Sequence, residues 1–122
     1  MGGEIRSIDS APTLFIQATM DPATVPLERI QVIKGWYASG QTQEKIYDVE
    51  IAAQGTPAIT RVWRDPDFNP DQPAFYYVRV LEMPTPRHST LDALALKRDV
   101  ASTGHPQTIQ ERAYTSPVHY SP

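Results

Sequence analysis

Residues 74–87 read AFYYVRVLEMPTPR, a strongly strand-forming run that leaves through two closely spaced prolines, Pro84 and Pro86. Between Phe75 and Leu81 the side chains alternate. Phe75, Tyr77, Arg79 and Leu81 fall on one face and Tyr76, Val78 and Val80 on the other, the period of two that a pleated strand requires. Both faces are largely apolar, so the run predicts a central strand covered on two sides. Its ending separates the sheet from whatever follows, because proline supplies no ladder donor.

Similar signals surround it. Residues 13–20 (TLFIQATM) place Leu14, Ile16, Ala18 and Met20 on one face, and Asp21-Pro22 ends them. Residues 27–34 (LERIQVIK) oppose Ile30 and Val32 to Arg29, Gln31 and Ile33, and Gly35 offers a bend before Trp36. A turn over residues 38–41 precedes residues 45–53 (KIYDVEIAA), where Tyr47, Val49 and Ile51 are expected inward and Asp48 and Glu50 outward. A loop at 54–57, a strand at 58–64 and a proline-rich connection at 65–73 lead into the opening run. A last strand, 113–120, holds Pro117 in its middle, which predicts an edge position or a bulge.

One segment has a different period. Around residues 91–98 helix formers predominate, with Thr90 placed to cap, Asp92 in the first turn, Lys97 and Arg98 in the last, and Leu91, Leu94 and Ala95 on one side. The expectation is an all-β, immunoglobulin-like two-sheet sandwich of about six to seven strands with one short helix. Residues 13–122 form one domain in this reading, and residues 1–12 a flexible N-terminal segment or a boundary with preceding sequence.

Composition narrows the partners. A net charge of −3 and only 11 Lys and Arg among 122 residues argue against nucleic acid. No apolar run approaches the ~20 residues of a membrane span, and the opening MGGEIRSIDS has no apolar signal core. Without cysteine, neither disulfides nor thiolate metal sites are available, and thiols say nothing about compartment.

Three segments together, residues 27–36 with 44–49, 63–87 and 110–122, resemble the C-terminal portion of a large bacterial family, that of domain of unknown function 3604. The resemblance implies a β-sandwich tail following a barrel like that of metal-dependent phosphoesterases of the polymerase-and-histidinol-phosphatase type. It implies periplasmic or exported relatives only as an open option. The metal-binding histidines and acids of such a barrel would precede residue 1, so none maps onto this chain. The chain departs from the family pattern at His88 and at Val118-His119, where tryptophan is more usual, and in a shorter segment between Ile51 and Trp63.

Candidate sites follow from residue chemistry. Asp65, Asp67, Asn69 and Asp71 alternate as in a calcium loop, but Pro70 stands where the turn glycine belongs and Tyr76 where the closing Glu belongs. Asx turns, with Asp67 and Asn69 bonding nearby amides, are the expected alternative. His88, His105 and His119 lack the spacing of a shared zinc ligand set. Ser116 is not on a glycine-flanked elbow. No catalytic, cofactor or metal residue is therefore assigned. Arg87 and His88, at the exit of the central strand, are the expected interface or substrate contact. Trp36, Tyr37, Trp63, Tyr76 and Tyr77 are expected in the core. The functional expectation is a non-catalytic accessory domain packed on a barrel, with a carbohydrate- or ligand-binding module as the alternative.

Overall fold

The computed structural model describes residues 2–7 and 9–122. Its strands are β1 (Gly3–Arg6), β2 (Thr13–Thr19), β3 (Leu27–Ala38), β4 (Gln41–Thr56), β5 (Ala58–Arg64), β6 (Ala74–Glu82), β7 (Thr85–Pro86), β8 (Thr108–Ile109), β9 (Arg112–Tyr114) and β10 (Val118–Ser121). Among the described residues one α-helix, α1 (His88–Ala95), and a 3₁₀ turn at Val100–Thr103 lie between β7 and β8. The large sheet runs β1-β10-β6-β3-β4 with β9 also on β6, and β2 and β5 form a second, antiparallel pair. The chain is an all-β sandwich. Gly3–Arg6, inside the leading segment, is a strand parallel to β10.

The central position of β6 is borne out, between β3 on one side and β9 and β10 on the other. Inward residues Ile30 and Val32 of β3 and Tyr76 and Val78 of β6 meet Ile16 of β2 and Ile59 of β5 in one core. Full burial of such aliphatic side chains contributes roughly 1.5–3 kcal/mol each.

Ser39 and Gly40 join β3 to β4 with φ of 52° and 78°, the two left-handed residues of a type I′ hairpin turn. The strands are longer than the sequence predicts, and the reasons are local. At Gly35 there is no bend. Its missing Cβ instead admits the ring of Phe75, its cross-strand partner, which would overlap any side chain there. Ile51, expected inward, is exposed because a bulge at Val49 inverts the parity of β4: Gln31 pairs with Asp48, but Ile30 pairs with Glu50. The same inversion brings Glu50 to Arg61 of β5, 2.7 Å away. The expected loop at 54–57 shrinks to Pro57 between two strands, with the bend made at Gly55 (φ 75°).

Pro117 splits the last strand in two. β9 and β10 pair with different halves of β6, and the interrupted ladder is repaired by Thr115, whose Oγ1 accepts from Val78 N at 3.0 Å. The helix begins at His88, earlier than expected, with Arg87 as its N-cap residue and no side-chain cap. Thr90 lies inside the first turn, where its hydroxyl donates to Gln107 O at 2.8 Å. The helix buries Thr90 and Ala93 and turns Leu91, Leu94 and Leu96 to solvent.

Candidate functional site

Inward parity on β3 runs Ile30, Val32, Lys34, Trp36, so Lys34 is carried between the sheets by the same pleat that buries its neighbours. Its Nζ donates to Asp65 Oδ2 at 2.6 Å and to Asp67 O at 2.8 Å. Tyr76 OH donates to the same Asp65 oxygen at 2.7 Å, and Asp67 N donates to Asp65 Oδ1 at 2.9 Å. The Lys34 and Asp65 side chains are 4% and 0% exposed. The ammonium also lies 5.5 Å from the Trp36 ring centre and 5.8 Å from that of Tyr76. Burial, reinforced by the bond to the Asp65 carboxylate, pushes the Tyr76 phenol far up.

A second layer closes this cluster toward solvent. Asp67 Oδ2 accepts from Lys45 Nζ and from Tyr47 OH, the latter at 2.6 Å. Those hydrogen bonds hold the Asp67 carboxyl below the usual range. Tyr47 is raised, by desolvation first and then by its bond to Asp67. Trp63 packs between them, 5.2 Å from Tyr47 and 6.2 Å from Tyr76. The chemistry is that of an ionic clamp on the β5–β6 connection, in which the buried Lys34 meets Asp65 and the half-exposed Lys45 meets Asp67.

The calcium arrangement does not form, since these carboxylates face different cations. Asn69 does bond a nearby amide, accepting from Asp71 N at 3.0 Å. The other Asx turn is made by Asp65, whereas the Asp67 carboxylate serves Lys45 and Tyr47. Among the described residues, no three His, Asp or Glu side chains gather as a metal set. His88 stands exposed at the start of α1 with Nδ1 2.9 Å from Asp92 Oδ2, His105 is in the loop after the 3₁₀ turn, and His119 is beside Phe75.

Arg87 and His88 are neighbours in space as in sequence, but they lie outside the ionic clamp, in the excursion from β7 to β8. Arg87 N donates to Gln107 O at 2.9 Å, while its buried Nε has no hydrogen-bond partner. Of the aromatic residues expected in the core, Tyr76 is buried and Trp36 and Trp63 are half-buried. Tyr37 is instead 62% exposed, and Tyr77 stacks on Phe75 across the outer face of the large sheet. Sequence reading missed Lys34 as a core residue; its inward parity between Val32 and Trp36 was the available signal.

A mixed sheet covered by a two-stranded one, with an ion pair sealed between them, defines a β-sandwich domain. More particularly, the chain belongs to the family described as Protein of unknown function (DUF3604), whose model matches residues 1–54 and 50–122. None of the curated proteins matches it, and neither does any solved structure. Among the described residues no helix is long and apolar enough to cross a membrane.

Proposed function

We propose that this chain is a non-catalytic accessory domain, an immunoglobulin-like tail that packs against a metal-dependent barrel of the same protein. The observation that carries the reading is α1. A helix of 8 residues that buries only Thr90 and Ala93 presents Leu91, Leu94 and, just beyond its end, Leu96 at 52%, 60% and 65% exposure. Grouped exposed leucines of this kind mark surfaces that other proteins or domains cover. Arg87 is the N-cap residue of the same helix, so the exposed leucines stand directly after the exit from the central strand.

The test uses a longer family protein that carries barrel and tail together. Changing Leu91, Leu94 and Leu96 to Ser should accelerate proteolytic separation of the two parts, while the isolated 122-residue chain keeps its unfolding midpoint because these side chains are already exposed. Unaltered proteolysis would remove α1 as the docking face. A reading frame with no histidine-rich metal barrel upstream would remove the accessory assignment itself.

A further inference from the structure

The C-terminal end of β3, the start of β6 and the end of β10 meet at one end of the large sheet, far along the strands from the α1 excursion. There they form a shallow recess of ≈ 320 Å³ whose lining includes Trp36, Tyr37, Phe75, His119, Tyr120 and Ser121. Four of the chain's aromatic rings and one of its 3 imidazoles thus converge on one hollow. We propose that this recess binds a neutral sugar ring, stacked on Tyr37 and Phe75 and hydrogen-bonded at its rim.

The shape of the aromatic surface selects the ligand. Phe75 of the recess has Tyr77 parallel beside it on the outer face of β6, ring planes 9° apart and centres 6.4 Å apart, so the aromatic surface runs on along the strand beyond the recess rather than closing around a point. A cage for a quaternary ammonium needs rings on several sides of the cation. A platform instead suits the flat C–H face of a pyranose. Gly35 is the floor that makes it: with no Cβ, it lets the Phe75 ring lie down across β3. Position near the end of β3 leaves Tyr37 free to meet a ligand, since its side chain is mostly in solvent.

Charge and volume point the same way. On the outer face Glu44 pairs with Gly35, and Gly35 with Phe75, which pairs in turn with His119. An exposed carboxylate and an imidazole therefore flank the stacked ring in one cross-strand row. The carboxylate repels phosphates and other anions, as does the net charge of −3, but it accepts from hydroxyls. Thr42 and Ser121 add hydroxyl partners at the rim. The hollow lies at the small end of the roughly 300–1,000 Å³ of ligand pockets, which fits one or two rings and not a polymer groove.

The test is an amide chemical-shift titration of the intact chain with glucose, galactose, N-acetylglucosamine, cellobiose and chitobiose, and separately with tetramethylammonium. The expected result is saturable shifts at Gly35, Thr42 and Ser121 with at least one saccharide, and an affinity at least about tenfold weaker in Tyr37→Ala. Because Tyr37 is exposed, that variant should unfold at the same urea concentration as the parent. His119→Gln, a second variant clear of the core, should weaken binding by a smaller factor. The proposal is overturned by absence of saturable shifts with every saccharide, by shifts located elsewhere, by response to tetramethylammonium alone, or by Tyr37→Ala binding as tightly as the parent.

Discussion

Lys34 Nζ and Asp65 Oδ2 lie 2.6 Å apart with essentially no water access, joining the middle of β3 to the residue that follows β5. An ion pair in such surroundings adds little net stability over a well-packed apolar pair, since desolvation offsets the attraction. Removing one partner is another matter, for it strands a charge. Lys34→Met or Asp65→Asn should each cost about 3–5 kcal/mol. The Lys34→Met/Asp65→Asn double change should cost clearly less than the two single losses added. Urea midpoints of all the variants measure this coupling, and strict additivity would mean that the two charges act independently.

Gly35 and Phe75 are coupled by shape. A methyl at position 35 would enter the space of the Phe75 ring, so Gly35→Ala should destabilise by about 1–3 kcal/mol, as overpacking does. In a Phe75→Ala background the clash is gone. There the same substitution should cost less than about 1 kcal/mol, because Gly is itself a weak strand former. Equal penalties in both backgrounds would show that backbone conformation, not the ring, demands glycine.

Acid should loosen the β5–β6 connection through Asp67. Hydrogen bonds from Lys45 and Tyr47 depress its folded pKa, so its contribution is complete above the ordinary Asp range near about 4. It is lost as pH falls below that value toward the depressed folded one. Asp67→Asn should therefore flatten the acid limb of the stability curve while leaving its slope near neutrality unchanged. Thermal midpoints measured from neutral pH down to about 2 give the comparison.

What was legible in the sequence follows from periodicity. The alternation in Phe75–Leu81 located β6 and its central place, and the DPDFNPDQP connection was read as such because proline and Asx residues punctuate strongly. Ile51 was misplaced because a bulge at Val49 shifts parity, and one chain read alone has no record of the partner strand that bulges against it. Amphipathic spacing places Leu91, Leu94 and Ala95 on one side of the helix and does not say whether that side meets a neighbour; the structure turns it to solvent. Lys34 stayed hidden because a lysine at the end of an apolar run reads as solvent-facing until Asp65, 31 residues on, is known to lie against it. The recess at Tyr37 and Phe75 depends on three strands meeting at one end, which only the registers of β3, β6 and β10 reveal.

Tyrosine ionisation offers a test from the alkaline side. Tyr47 and Tyr76 are both raised, first by desolvation and then by hydrogen bonds to Asp67 and Asp65. Of the 6 tyrosines, these two should remain phenols in the folded chain when an exposed tyrosine titrates near about 10. The unfolded chain loses those protons first, so the stability they contribute is whole below about pH 10 and declines as pH rises above it. Tyr76→Phe should remove a hydrogen bond to a charged group, about 1.5–3 kcal/mol at neutral pH, and should reduce the alkaline decline. Ultraviolet titration of the phenolate band in the parent and in Tyr76→Phe, set beside urea midpoints across the same pH range, separates the two effects. A Tyr76 that ionises with the exposed tyrosines would place water in the sealed space between Lys34 and Asp65.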